Sequence, residues 1–173
     1  MRLRYNGSMT EDAKQAAPEH QAAPEHQAAG DIARGADRLL LDMGLASIRE
    51  FSLASGRRAD IAALGKDGRI LIIEIKSSIA DFRSDTKWPD YLEYCDTFYF
   101  AVAPDFPVDI LPETCGIIIA DRFGAEILRI DPSEGPDRTL KAARRKAVTL
   151  RFARSAAARL MANLADDQEK TTR

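Results

Sequence analysis

The chain has 173 residues, of which 45% are hydrophobic and 30% are charged, with a formal net charge of −2 at pH 7. This length and composition predict one globular domain with a substantial core. No apolar run is long enough to cross a membrane, no secretory signal is recognisable, and the two cysteines, Cys95 and Cys115, lack metal-ligand spacing, so we expect a cytoplasmic protein that neither enters a membrane nor holds zinc.

The N-terminal segment contains a short repeat. Residues 16–21, Ala-Ala-Pro-Glu-His-Gln, recur as residues 22–27. A hexapeptide with a fixed proline and no core-forming side chain is typical of a disordered tail. We expect residues 1–29 to form this tail, residues 30–165 to form a single domain, and residues 166–173 to form a flexible C-terminal tail.

One helix and three strands are predicted at the start of the domain. The helix covers residues 31–43 and ends at Gly44. The side chains on its inner face are Ile32, Ala36, Leu39 and Leu40. The strands cover residues 46–53, 57–64 and 69–76, the last of which is rich in β-branched side chains.

The turns between these strands set their register. Each turn is a three-residue loop whose third residue is glycine, Gly56 in the first and Gly68 in the second. That position favours a left-handed backbone, which glycine adopts without steric cost. In the first hairpin the loop length places Leu53 opposite Arg57, and the second hairpin follows the same rule.

The register aligns three acidic residues across the three strands. Glu50 is predicted to lie opposite Asp60, and Asp60 opposite Glu74, with side chains on one face of the sheet. Lys76, two residues beyond Glu74, shares that face. Adjacent carboxylates repel each other, and a bound Mg²⁺ or Mn²⁺ ion would remove the repulsion. The alternative is a solvated face whose acids only keep the sheet soluble.

The remainder of the domain alternates short helices and strands. We expect a cap at Ser78 for a short helix or turn through Phe82, and a helix that begins at Pro89. A fourth strand is predicted at 97–103 and a hairpin at 116–120 and 125–130.

A basic, alanine-rich helix is predicted at the C-terminal end, starting near Pro136 and Asp137. Between residues 138 and 159 it contains no acid and eight cations: Arg138, Lys141, Arg144, Arg145, Lys146, Arg151, Arg154 and Arg159. Such a helix is suited to the phosphate backbone of DNA, with Arg144, Arg145, Lys146 and Arg151 as candidate contacts. An acidic protein partner or a solvated basic face is the alternative.

The pattern of Asp60 followed by Glu74-Ile75-Lys76 on the next strand resembles the PD-(D/E)XK nuclease superfamily. The longer set Arg57-Arg58-Ala59-Asp60, Glu74-Ile75-Lys76-Ser77, Asp81-Phe82-Arg83, Lys87-Trp88-Pro89-Asp90-Tyr91 and residues 95–102 is similar to the MmcB-like family of DNA repair proteins. The resemblance implies an α/β fold with a restriction-endonuclease-like core: a helix, a three-stranded antiparallel meander, a helix and a strand. The final hairpin and the basic helix are additions to that core.

The resemblance also implies an activity and its residues. Asp60 and Glu74 would bind Mg²⁺ or Mn²⁺, and Lys76 would orient the attacking water or help to deprotonate it, so that DNA is hydrolysed. The superfamily often adds an acid from the first helix, and here Glu50 is our substitute, while Ala59 replaces the proline of the motif. Arg83 and Lys87 would contact phosphate, and Trp88 is assigned to the core.

Two other functions stay open at this point. The chain could be a DNA-binding repair module with a degenerate site, or an adaptor that binds an acidic partner through its basic helix. Its oligomeric state is also open, and a homodimer is among the candidates.

Overall fold

The computed structural model describes residues 25–133 and 139–171. Its helices are α1 (Glu25–Asp42), α2 (Ile79–Ser84) and α3 (Ala142–Thr171), and two 3₁₀ turns cover Trp88–Glu93 and Val108–Ile110. Its strands are β1 (Ala46–Ser52), β2 (Arg58–Leu64), β3 (Ile70–Lys76), β4 (Thr97–Val102), β5 (Gly116–Ala120) and β6 (Ala125–Arg129). The order of the predicted elements is therefore confirmed for the described residues.

The six strands form one open, mixed sheet in the order β1-β2-β3-β4-β5-β6. The first three strands are an antiparallel meander, β4 and β5 are each parallel to the strand before them, and β6 closes an antiparallel hairpin with β5. All of β4 and nearly all of β3 are buried, as expected for parallel strands covered on both faces. Glu74 and Lys76 lie at the end of β3, and Asp60 lies near the start of the neighbouring β2.

The predicted turn geometry is confirmed. Gly56 and Gly68 have left-handed φ angles of 84° and 81°. The backbone N–H of Leu53 donates to the Arg57 carbonyl at 2.7 Å, and the hairpin between β2 and β3 is closed in the same way. These bonds fix the register on which the candidate site depends.

One layer of the core lies between the sheet and α1. Ile32, Ala36 and Leu40 of the predicted inner face are almost fully buried, and Leu39 is partly buried against them. They pack on side chains of β2, β3, β4 and β5. Gly35 lies where α1 approaches the β5–β6 turn so closely that a Cβ atom there would lie 2.3 Å from two backbone carbonyl oxygens.

The opposite face of the sheet is covered by the first 3₁₀ turn and by α3. Phe152 of α3 packs on Phe51 with ring centroids 5.9 Å apart, and Val148 is buried in the same cluster. Trp88 packs against Phe98 at 5.7 Å, which places it in the core as predicted. The helix predicted to begin at Pro89 is instead a 3₁₀ turn over Trp88–Glu93.

A bidentate ion pair attaches the start of α3 to the sheet. Both guanidinium nitrogens of Arg145 donate to Asp96, at 2.7 and 2.6 Å, and Asp96 also accepts the backbone N–H of Ile70. Burial opposes the charge of Asp96, but its bonds to Arg145 and to the backbone outweigh burial and lower its pKa. Arg145 therefore serves the fold, which corrects its assignment as a DNA contact.

The ends of the domain also differ from the sequence prediction. Helix α1 begins at Glu25, so residues 25–29 are helical instead of belonging to the tail. Helix α3 continues to Thr171, so residues 166–171 are helical as well. Residues 1–24, including His20, and the predicted helix start at Pro136 and Asp137 lie outside the described residues. Among the described helices, none combines the length and apolarity needed to span a membrane.

Candidate functional site

The acidic residues Asp60 and Glu74 lie where β2 and β3 separate. The regular pairing of the two strands ends at Ile61–Ile73, one residue before the acids. Beyond that point a side chain replaces the backbone ladder, because the Asp60 carboxylate accepts the backbone N–H of Ile75 at 2.8 Å. The backbone N–H of Asp60 in turn donates a hydrogen bond to the Glu74 carboxyl. The two carboxyl groups therefore lie close together at a point where the regular hydrogen bonding between β2 and β3 has ended.

Glu74 has one oxygen that nothing in the described structure satisfies. Its side chain is 9% exposed, and its Oε2 atom is buried without a hydrogen-bond partner. A buried carboxyl oxygen without a partner costs on the order of 1–3 kcal/mol. An orphaned acceptor beside a second carboxylate is the arrangement that a cation would complete.

Lys76 is held by Asp85, which lies just after α2. The Nζ atom of Lys76 donates to Asp85 at 2.6 Å, and lies 3.6 Å from Glu74 Oε1. The Lys76 side chain is only 4% exposed. The sequence analysis did not assign Asp85 to the site, yet a buried lysine requires an acidic partner. The need of a buried lysine for an acidic partner was therefore the signal that could have identified an acid such as Asp85.

The pKa values of the site reflect burial and crowding. Burial, together with the charge of Asp60, raises the pKa of Glu74 from its ordinary 4.5 to about 8. Burial also raises the pKa of Asp60. Burial opposes the charge of Lys76, but its bond to Asp85 and the charge of Glu74 outweigh burial and raise its pKa. At neutral pH the metal-free site therefore holds a protonated Glu74 and a charged Lys76.

Glu50 occupies the rim of the site instead of a regular sheet position. The pairing of β1 with β2 passes from Arg49–Ile61 to Phe51–Ala59, and Glu50 between them has a left-handed φ of 51°. Its carboxylate forms an ion pair with Arg58 at 2.5 Å and is half exposed. The pairs on either side keep the predicted register, so Glu50 lies across from Asp60, but its carboxylate is paired with Arg58. A left-handed non-glycine residue is strained, and such strain often lies at functional sites.

The acids and the lysine open into a cavity of about 790 Å³. The cavity is lined by Glu50, Asp60, Glu74, Lys76, Ser77, Ser78, Asp81 and Ser84, with Arg49, Ile75, Ala80 and the α1 residues Ala29, Gly30 and Ala33. Asp81 accepts the backbone N–H of Ser77 at 3.1 Å, and Ser78 caps α2 as predicted. Asp81 was also missed as a wall of the site.

Among residues 25–133 and 139–171, no three His, Cys, Asp or Glu side chains converge into a ready-made metal cluster. The donor set is instead a pair of carboxylates in an open cavity. Mg²⁺ retains several waters and is often bound through one or two carboxylates plus substrate phosphates. The pair Asp60 and Glu74, with its unsatisfied oxygen, fits such an ion.

The predicted basic contacts differ in their availability. Arg83 and Lys87 are exposed beside α2, and Lys146 and Arg151 are exposed on α3. Arg144 is held by Glu93 at 3.2 Å and by the ring of Tyr94.

Arg159 is committed to the backbone at the rim of the site. Its guanidinium donates to the carbonyl oxygens of Arg49 and Glu50, the latter at 2.9 Å. Since Arg49 and Glu50 line the cavity, this contact brings α3 to the edge of the candidate site.

Comparison with known proteins gives a family. The model of the MmcB-like DNA repair proteins matches residues 13–168. A solved structure of a protein of unknown function from Silicibacter pomeroyi is 44% identical, with a TM-score of 0.75 over 82% of this chain and 94% of that one. No curated protein matches the chain. The family match spans nearly the whole chain, including the strands and helix that form the cavity, so the chain belongs to the MmcB-like family of DNA repair proteins.

Proposed function

We propose that this chain is a metal-dependent deoxyribonuclease of the PD-(D/E)XK type that hydrolyses DNA phosphodiester bonds in repair. The observation that carries the proposal is the buried, unsatisfied Oε2 of Glu74 beside Asp60, at the mouth of an open cavity. The element order from α1 through β4 supports a restriction-endonuclease-like core. Membership of a DNA repair family supports DNA as the substrate.

In the proposed reaction, Asp60 and Glu74 hold Mg²⁺ or Mn²⁺. When bound, the ion lowers the pKa of water and neutralises charge on the scissile phosphate. Glu74 must lose its proton before it can bind the ion, since its pKa is about 8 in the metal-free site. Binding of the ion therefore releases a proton, and its affinity increases with pH up to about that value.

Lys76 acts as a cation in this scheme. Its raised pKa keeps the ammonium charged, so it orients the attacking water or the phosphate and does not remove a proton. Asp85 is the positioning residue, because its carboxylate accepts a hydrogen bond from the Lys76 ammonium at 2.6 Å. The unsatisfied Glu74 oxygen is thereby left open to the ion. Hydroxyl groups of Ser77, Ser78 and Ser84 on the cavity wall are donors suited to phosphate oxygens.

Exposed cations would hold the DNA backbone beside the site. Arg83 and Lys87 lie next to the cavity wall formed by α2, and Lys146 and Arg151 lie on α3. The contact of Arg159 with the cavity rim supports a DNA-binding surface that runs along α3 to the acids. Phosphate contacts of this kind position DNA without reading its sequence.

The test is cleavage of linear, single-stranded and branched DNA in Mg²⁺ or Mn²⁺, with DNA affinity measured on the same samples. Wild type is compared with Asp60→Ala and Lys76→Ala, and with Lys66→Ala as a control in an exposed turn. We expect cleavage by wild type and by the control, and loss of cleavage with retained binding in the two site variants.

Two results would overturn the proposal in different directions. Metal-independent DNA binding without cleavage of any substrate would favour a DNA-binding repair module with a degenerate site. Weak DNA binding even at low salt would favour an adaptor for an acidic partner, because contacts to phosphate strengthen as salt is lowered.

A further inference from the structure

The second half of α3 lies outside the packed core and contacts the domain through Arg159. Val148 and Phe152, near the start of the helix, are buried in the core. In contrast, every residue from 156 to 168 is exposed. An unpacked extension of a helix is marginal in water, because each residue added to the existing helix contributes little free energy. Within the described part of the chain, no packed core stabilises this segment.

The exposed segment carries an apolar stripe with coiled-coil spacing. The stripe consists of Leu150, Ala153, Ala157, Leu160 and Leu164, and all five residues are exposed. Their alternating spacing of three and four residues is that of the a and d positions of a heptad. Leu160 is 59% exposed, and Met161 beside the stripe is 66% exposed. Solvent-facing leucines in register over four turns indicate a contact surface, because scattered surface leucines show no such period.

Charge divides α3 along its length. From residue 142 to 159 it carries six cations and no acid: Arg144, Arg145, Lys146, Arg151, Arg154 and Arg159. The following turns carry three acids, Asp166, Asp167 and Glu169, and one cation, Lys170. A second α3 in the opposite direction would place its acidic end beside the basic end of the first, whereas a parallel one would place cations beside cations.

We propose that the apolar stripe joins two copies of this chain, whose α3 helices pair antiparallel. Aligning the stripes in this direction places Leu160 against Ala157 of the second copy and Leu164 against Ala153 of the second copy. Leu160 and Leu164 then each meet an alanine, which is the alternation that fills a helix interface without voids. Leu150 lies across from Asp167 at the edge of the pairing. The basic start and acidic end of α3 favour the antiparallel pairing of two copies over a parallel one.

The pairing uses the side of α3 that does not pack on the sheet. Around the helix axis, the stripe faces away from Val148 and Phe152, the residues that attach α3 to the sheet. The second copy therefore covers the outer side of α3, whereas Arg159 reaches the cavity rim from the inner side. Because a single helix pair buries less than the ~800 Å² per partner of a standard interface, a dissociation constant in the micromolar range is expected.

The first experiment measures the oligomeric state of the full chain by sedimentation equilibrium over a concentration series. We expect a reversible monomer–dimer equilibrium, with helicity by circular dichroism rising as dimers form. Leu160→Glu should weaken the dimer about 100-fold, since each copy loses a buried leucine. Ala162→Glu, which adds the same charge at an exposed position off the stripe, should leave the equilibrium unchanged.

A second experiment tests direction. Oxidation of a mixture of Ala153→Cys and Leu164→Cys chains should yield the mixed disulfide dimer, whereas Ala153→Cys alone should stay uncrosslinked. Efficient crosslinking of Ala153→Cys to itself would overturn the antiparallel arrangement. A wild-type chain that stays monomeric at all concentrations, or a dimer indifferent to Leu160→Glu, would overturn the proposed interface, whatever the nuclease assay shows.

Discussion

Replacing Glu74 with glutamine should make the metal-free protein more stable at alkaline pH. The pKa of Glu74 is raised from 4.5 to about 8 by burial and by the neighbouring charge of Asp60. Between these two values the unfolded chain has lost a proton that the folded chain retains. Raising the pH through this window therefore lowers the free energy of unfolding, and above about pH 8 the loss is complete.

The size of the effect follows from the two pKa values. At pH 7 the Glu74 carboxyl lowers the free energy of unfolding by roughly 3 kcal/mol relative to pH 4, at 1.36 kcal/mol for each pH unit in which only the unfolded chain is ionised. Glutamine has no proton to lose in either state. The Glu74→Gln variant should therefore gain on wild type as the pH rises from 4 to 8, with little gain near pH 4.

Urea denaturation in EDTA at pH 4 to 8 measures this difference. Glu113→Gln is the control, because it removes an exposed carboxyl and should leave the pH profile of wild type unchanged. At pH 8, Mn²⁺ should stabilise wild type and not Glu74→Gln, since an ion that binds only the folded state stabilises it. Parallel profiles for wild type and Glu74→Gln would refute the assignment of a buried, proton-binding Glu74.

Three further substitutions, two of them with a matched control, test the fold and the site. Gly35→Ala should cost about 1–3 kcal/mol, because its Cβ would overlap two carbonyl oxygens, whereas Gly30→Ala on the same helix should gain up to about 1 kcal/mol from helix propensity; urea denaturation checks both. Arg145→Ala should cost about 3 kcal/mol by leaving a buried carboxylate unpaired, while Lys146→Ala should change stability by less than about 0.5 kcal/mol and weaken DNA binding, measured by fluorescence anisotropy. Asp85→Asn should lower Mn²⁺ affinity at least ~10-fold by calorimetry, because the site lysine is freed to pair with the metal-binding carboxyl; unchanged affinity would exclude the positioning role.

The sequence predicted the features that depend on local patterns. The glycines at the third positions of both turns determined the hairpin register, and that register brought Asp60 and Glu74 together at the separation of β2 and β3. The continuous apolar runs of β3 and β4 are typical of strands buried on both faces, as these two are. These predictions succeeded because each rests on interactions between residues close in sequence.

The features that the sequence missed depend on contacts between distant segments or on local backbone strain. The pairing of Arg145 with Asp96 joins α3 to the sheet across 49 residues, and a basic helix shows no sign of which cation is used in this way. Strand periodicity does not encode the left-handed backbone of Glu50, which turns its carboxylate toward Arg58. The role of Asp85 emerges only when α2 folds back beside Lys76.

The most direct test of the account is the binding of Mn²⁺ to the full chain at pH 8, measured by isothermal titration calorimetry with wild type, Asp60→Asn and the exposed control Asp105→Asn. It probes the site without requiring the correct DNA substrate. The account predicts Mn²⁺ binding by wild type and Asp105→Asn with release of a proton, and loss of that binding in Asp60→Asn. Absence of Mn²⁺ binding by wild type at millimolar concentrations, or equal binding by Asp60→Asn, would contradict it.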